Sequence, residues 1–324
     1  MKTCSFKETE AYSVCARLPE DNDRVMVVAS AGNTARAFAK VCSDNKIPVL
    51  ISIPYDNINA LWFTEKLDDC VKIIASPAGS DYFDAIALAD ITCKSPMFFA
   101  EGGAKNIARR DGMGTTILSA VEKTGRIPDA YFQGIGSGTG TIAVWENNLR
   151  LIEDGRFGSH KMRLYPSHNT PFTIMYDSWK AAQRDLVPFS AEQARQAAAE
   201  IDAKVLSNRK PPYALSGGLF DAMIDAGGDI FKVSNPELHK WQDIFLESEG
   251  IDIYSAAAVA VASLAQAVET GVVGKDEMIM LNITGGGEKL AWKEHEICHA
   301  KPALILDPAD DENVIISKVE ALFK

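Results

Sequence analysis

The segment Tyr131-Phe132-Gln133-Gly134-Ile135-Gly136-Ser137-Gly138-Thr139-Gly140-Thr141-Ile142 carries four alternate glycines and hydroxyls at Ser137, Thr139 and Thr141. A loop of this kind between a strand and a helix turns backbone N–H groups and a helix N-terminus onto one anion. It therefore predicts a phosphate cradle at Gly136, Ser137, Gly138, Thr139 and Gly140. No Gly-Lys-Ser/Thr closes the loop, which excludes a Walker A motif, and Thr139 and Thr141 break the Rossmann spacing. A glycine-rich strand-to-helix turn without a ligand is the plain alternative.

Two further glycine loops follow apolar runs. Ser30-Ala31-Gly32-Asn33-Thr34 opens a helical pattern, and by itself it reads as an N-cap with its turn. Thr284-Gly285-Gly286-Gly287 by itself reads as a flexible strand end. Together the three loops each close an expected strand at its carboxyl end, the edge at which open α/β sheets bind ligands. Lys7 stands in Thr3-Cys4-Ser5-Phe6-Lys7-Glu8, where Ser5 can cap a helix that starts at the lysine; alone it reads as a snorkelling surface residue. His295-Glu296-Ile297-Cys298-His299 matches HExxH literally. A zinc peptidase would need both histidines on one helix face, yet Pro302 and a strand-like run follow almost at once, so no metal site is expected.

The elements that must position these residues alternate. Short apolar runs at 25–29, 49–53, 71–75 and 97–99, then 130–132, 162–165, 230–233, 278–283 and 303–306, read as strands. Helical spacing fills 33–44, 59–68 and 81–92. Continuous apolar strands predict parallel sheets covered by helices on both faces, an α/β class with right-handed crossovers. Helices dominate 166–228, and 208–218, with Pro211, Pro212, Gly217 and Gly218, is either a loop at a site or a surface crossover.

Composition narrows the function classes. The chain has 324 residues, 47% hydrophobic and 24% charged, as ordinary globular proteins do. A formal charge of -11 without a basic run argues against nucleic acid. No apolar stretch approaches the ~20 residues that span a bilayer. The N-terminus shows no apolar leader, and six dispersed cysteines form no CxxC pair, so a cytoplasmic chain with free thiols is expected.

A lysine in Ser-Phe-Lys, then the asparagine of Ser-Ala-Gly-Asn-Thr, then the glycine-rich loop, then Thr284, in that order, resembles the fold type II enzymes that use pyridoxal 5′-phosphate (PLP). Within that class the whole chain is similar to the threonine synthase family. The stretches Leu206-Ser207-Asn208-Arg209-Lys210-Pro211-Pro212-Tyr213 and Glu249-Gly250-Ile251-Asp252-Ile253-Tyr254-Ser255-Ala256-Ala257-Ala258-Val259-Ala260 are similar to its archaeal cysteate synthase branch.

The resemblance implies two open, mostly parallel sheets flanked by helices, like the tryptophan synthase β chain. Lys7 would carry PLP as a Schiff base and move the substrate's α-proton. For that its pKa must fall towards neutrality, which burial beside Phe6 favours and the cofactor phosphate opposes. Asn33 would hydrogen-bond the pyridine 3′-oxygen. Ser30, with Thr34 and neighbouring amides, would take the substrate carboxylate. Gly136, Ser137, Gly138, Thr139 and Gly140 would hold the phosphate. Thr284 would face the pyridine nitrogen, and a hydroxyl there suits elimination and replacement better than transamination.

The implied reaction is loss of phosphate from O-phospho-L-serine and addition of sulfite to give L-cysteate, towards coenzyme M. A small anionic amino-acid substrate and sulfite are the expected partners, and whether the chain forms a homo-oligomer is left open. A second anion site is expected, with Lys105, Arg109, Arg110, Arg209 and Lys210 as candidates.

The alternative within the family is threonine synthase, acting on O-phospho-L-homoserine and water. Its usual glycine before the serine and Asp-Arg pair after the lysine are replaced here by Cys4, Glu8 and Thr9. The family also carries about a hundred residues before its lysine, part of a domain, where this chain has six. A missing N-terminal part is therefore expected, and a non-catalytic PLP- or metabolite-binding paralogue is the alternative of another class. The expected division is a smaller domain at 23–115, carrying the 30–34 loop, and a larger one at 1–22 plus 116–324, carrying Lys7, the phosphate loop and Thr284.

Overall fold

Every residue of Val49–Pro54 is buried in one strand, as an apolar run covered by helices on both faces should be. The computed structural model describes residues 1–324. In chain order it runs α1 (Lys7–Cys15), β1 (Val25–Ala29), α2 (Asn33–Asn45), β2 (Val49–Pro54), β3 (Trp62–Phe63) and β4 (Val71–Ser76). There follow α3 (Tyr82–Thr92), β5 (Phe98–Ala100), α4 (Ile107–Thr124), β6 (Ala130–Gly134), α5 (Thr139–Asp154) and β7 (Arg163–Asn169). Next come α6 (Ile174–Lys180), α7 (Ala191–Glu200), α8 (Leu219–Ala226), β8 (Phe231–Val233), α9 (Asn235–Glu249) and α10 (Ser255–Glu269). The chain ends with β9 (Ile279–Leu281), α11 (Glu288–Glu294), β10 (Cys298–His299), β11 (Leu304–Ile305) and α12 (Glu312–Glu320).

Two compact units divide the chain, Met1–Gly112 with Lys289–Lys324, and Met113–Glu288. In the first, an all-parallel sheet has the order β11-β4-β2-β1-β5. One face packs on α1 and α2 through Ala11, Val14, Phe38, Val41 and Ile51. The other packs on α3 and α12 through Val27, Leu50, Leu88 and Ile315.

This division differs from the expected one in two places. Residues 1–22 lie in the first unit because α1 buries Ala11, Val14 and Cys15 against α2. The C-terminal segment lies there too, because β11 adds to the sheet beside β4, Leu304 opposite Ile74. The helix expected at 59–68 is also corrected. Leu61, Trp62 and Phe63 are all buried, and Trp62 and Phe63 pair antiparallel with His299 and Cys298. Pairing with a segment distant in sequence outweighed a local helical pattern.

In the second unit an all-parallel sheet has the order β8-β7-β6-β9. On one face, Tyr131, Leu164 and Ile135 pack with Ile142 and Val144 of α5 and with Leu219 and Met223 of α8. On the other, Phe132 stacks on Tyr165 at 4.8 Å between ring centroids. The alanine-rich α10 comes close to the sheet on this side. A Cβ at Gly134 would lie 2.2 Å from the Ala256 carbonyl oxygen, so the last residue of β6 must be glycine. No helix is long and apolar enough to cross a membrane.

Candidate active site

Lys7 opens α1, and Ser5 Oγ accepts from its backbone N–H at 3.3 Å. Thr3 closes the preceding turn, its hydroxyl donating to Glu8 Oε1 at 2.7 Å. The Lys7 side chain is 21% exposed, and its Nζ lies 4.9 Å from the Phe6 ring centroid. Burial lowers its pKa; the Glu10 carboxylate opposes that shift and Arg109 adds to it. An amine drawn out of water in this way is suited to act as nucleophile and base.

The 30–34 loop sits at the carboxyl end of β1 and leads into α2. It is not a side-chain cap: α2 begins after Gly32 without one. Ser30 Oγ instead accepts from Gly32 N–H at 3.2 Å. Asn33 Oδ1 accepts from Arg36 Nη2 at 3.0 Å, which turns its amide nitrogen, a donor, to the other side. The Thr34 hydroxyl donates to Glu10 Oε1 at 2.8 Å. Its one proton is engaged there, so Thr34 can offer a carboxylate only its backbone N–H.

Beside Lys7 lie buried charges, of which the sequence singles out only Arg109. Arg109 donates to Glu101 through Nε and Nη2, each at 2.9 Å, and its Nη2 lies 3.6 Å from Glu10 Oε1. Burial opposes the guanidinium's charge, but the carboxylates of Glu10 and Glu101 outweigh it and raise its pKa. Burial raises the Glu101 carboxyl above its ordinary range even against Arg109. Arg109 thus serves two carboxylates. Glu10, three positions after Lys7 on one helix face, was the member that spacing could have shown.

In the second unit the loop after β6 opens α5, whose N-terminus carries no side-chain cap and whose preceding Gly138 has φ +76°. Ser137 and Thr139 hydroxyls are 2.8 Å apart. A Cβ at Gly136 would lie 2.8 Å from the Val205 carbonyl oxygen, and one at Gly140 2.7 Å from Gln133 Oε1. Beneath the loop runs a buried polar string. Asn282 Nδ2 donates to Tyr131 OH at 2.7 Å, Tyr131 OH donates to Gln133 Oε1 at 2.6 Å, and Thr141 Oγ1 donates to the same oxygen at 3.3 Å.

Thr284 is buried just beyond β9, the strand beside β6. The glycines after it are held rather than loose. Gly285 O accepts from Tyr254 N–H at 3.0 Å, and Gly287 N–H donates to Asp252 O at 2.8 Å.

The chain matches the pyridoxal-phosphate dependent enzyme family over residues 1–285. It is 45% identical over 311 residues to cysteate synthase of Methanosarcina acetivorans, covering 96% of this chain and 75% of that protein. It belongs to the cysteate synthase branch of the pyridoxal-phosphate dependent enzymes. Cysteate synthase of Methanocella paludicola is 46% identical over 306 residues, 94% of this chain and 71% of that one. In fold, maize serine racemase is similar with a TM-score of 0.66 at 15% identity, over 90% of this chain and 83% of that one.

The residues of this pyridoxal-phosphate dependent enzyme fit its cofactor. An uncapped helix N-terminus behind Gly136, where backbone leaves no room for a Cβ, and Gly138, held at φ +76°, suits a phosphate. A lysine with a lowered pKa suits an aldehyde. The zinc alternative does not fit, since His295 lies past the end of α11 and His299 pairs with Trp62 in β10, so the two share no helix face.

Of the remaining anion candidates, Arg110 Nη1 donates to the Ala104 carbonyl at 2.5 Å, and Lys105 ends the short turn Gly103–Lys105. Arg209 and Lys210 follow the turn Lys204–Leu206 that packs against Gly136, and the chain stays irregular from there to α8.

Proposed function

We propose that this chain makes L-cysteate from O-phospho-L-serine and sulfite, breaking the Cβ–O bond to phosphate and forming a Cβ–S bond in its place. The observation that carries the reading is Lys7, an amine drawn out of water at the head of a helix with its pKa lowered by burial. The choice of sulfite as acceptor is supported by relatives named cysteate synthase across nearly the whole chain. The product would lie on a route to coenzyme M. All six cysteines are free thiols, which supports a cytoplasmic setting.

Pyridoxal phosphate, held through Lys7 until the substrate's amino group displaces the lysine, would supply the electron sink that acidifies the substrate's α-carbon and lets a β-substituent leave, and the freed Lys7 amine is then available as base. We assign the rest to this chain's own side chains and amides. Lys7 Nζ takes the α-proton and returns it after replacement, holding it near Glu10 in between. Ser30 and the backbone N–H of Thr34 receive the substrate carboxylate, and the Asn33 amide donates to the ring oxygen. The N–H groups at Gly136, Ser137, Gly138, Thr139 and Gly140 hold the cofactor phosphate. Thr284 offers the ring nitrogen a hydroxyl instead of a carboxylate, which favours replacement over transamination.

The test is a product assay on the purified chain with cofactor, given phosphoserine or phosphohomoserine, each with sulfite or water. Cysteate and phosphate in equal amounts from phosphoserine and sulfite are expected. Threonine from phosphohomoserine, with no cysteate, would overturn the proposal.

A further inference from the structure

Glu10 has no exposed surface, yet donors from three helices converge on its carboxylate. Lys7 Nζ of α1 reaches Oε2 at 3.4 Å, Thr34 Oγ1 at the head of α2 donates to Oε1 at 2.8 Å, and Arg109 Nη2 of α4 lies 3.6 Å from Oε1. Arg109 also holds Glu101, the residue after β5. The Tyr82 phenol of α3, donating to Ala29 O at 3.3 Å, feels the charges of Arg109, Glu101 and Glu10. Two cations and two carboxylates thus balance in a setting where an unpaired charge would be costly.

We propose that Glu10 is a positioning residue for the reaction: its carboxylate joins the lysine helix to the 30–34 loop and supplies the negative charge that keeps Lys7 able to hold a proton. This rests on the reading of Lys7 as the cofactor lysine. The geometry gives each oxygen a separate task. Oε2 faces the lysine, while Oε1, 3.6 Å from Arg109 Nη2, accepts from the Thr34 hydroxyl and so ties α1 to the start of α2 beside Asn33. Around Lys7, burial and the charge of Arg109 favour the free amine. Glu10, with a smaller contribution from Glu101, favours the ammonium. A base that must both take and return a proton needs the two tendencies in balance.

The test is competitive acetylation of Lys7 in the cofactor-free chain as a function of pH, read by mass spectrometry of the Lys7 peptide. In Glu10→Gln the midpoint is expected to fall by about one unit or more, because the favourable opposite charge is gone while burial and Arg109 remain. Glu10→Asp keeps the charge but draws it back by a methylene. It should shift the midpoint the same way by less, and it serves if the glutamine variant does not fold. A midpoint unchanged in both variants, with only melting temperature lowered, overturns the proposal and leaves Glu10 a structural residue. Visible absorption of added PLP with Lys7→Ala is measured in parallel. If that variant still forms the wild-type adduct band, the reading of Lys7 itself fails, separately from the role of Glu10.

Discussion

Asn282 Nδ2 donates to the Tyr131 hydroxyl at 2.7 Å, tying the chain beyond β9 to β6 directly beneath the glycine loop. Tyr131 passes the contact on to Gln133, whose Oε1 also receives Thr141 at the start of α5. Burial pushes the phenol's pKa upward, so the group stays a neutral donor. Tyr131→Phe should leave Asn282 and Gln133 short of a partner and cost about 1–3 kcal/mol of stability, read by chemical denaturation. If Gln133 also supports the loop, PLP affinity should fall about fivefold, equivalent to about 1 kcal/mol, read by equilibrium dialysis.

Gly136 presses against the 204–206 turn so closely that a Cβ would lie 2.8 Å from Val205 O and 3.1 Å from Leu206 Cα. Both neighbours are backbone and cannot rotate away. Gly136→Ala should therefore displace the loop and weaken PLP binding by about tenfold or more, about 1.4 kcal/mol, while far-UV circular dichroism stays that of the parent. Unchanged affinity would show that the loop does not hold the phosphate.

His168 lies fully buried in β7 with no hydrogen bond to either ring nitrogen; the Phe172 backbone is near but does not satisfy them. Burial depresses its pKa from 6.5 to about 4. Between those values the unfolded chain binds the proton and the folded one does not, so unfolding becomes easier as pH falls through that window. The contribution, on the order of 3 kcal/mol at most, is complete above the unfolded pKa and lost towards the folded one. His168→Leu should have a flatter stability profile between pH 6.5 and about 4, measured by urea denaturation at each pH. A profile as steep as the parent's would assign the acid sensitivity to other groups.

How much of this was legible in the sequence depended on whether the deciding contact was local. Strands such as β1, β2 and β6, and the helix α2, show themselves as apolar runs or helical spacing, and the three glycine loops follow from their places after strands. The β3–β10 pair could not be read, because Trp62 and Phe63 take partners from the far end of the chain. The place of α1 could not be read either, since Ala11 and Val14 would suit any apolar face and only the packing on Phe38 and Val41 decides. Within the site, Glu10 looks like part of a solvated charged face in Lys7-Glu8-Thr9-Glu10, and nothing local links it to Glu101 or Arg109. Arg109 stands in the sequence as a charge without a place, and its carboxylate partners Glu10 and Glu101 lie outside its own helix.

The most direct test of the central claim is to load the chain with PLP, reduce with borohydride, digest, and locate the cofactor mass by peptide sequencing. One modified peptide is expected, with the cofactor on Lys7, and no modified peptide from Lys7→Ala. Cofactor fixed to any other lysine, or fixed equally in Lys7→Ala, would contradict it.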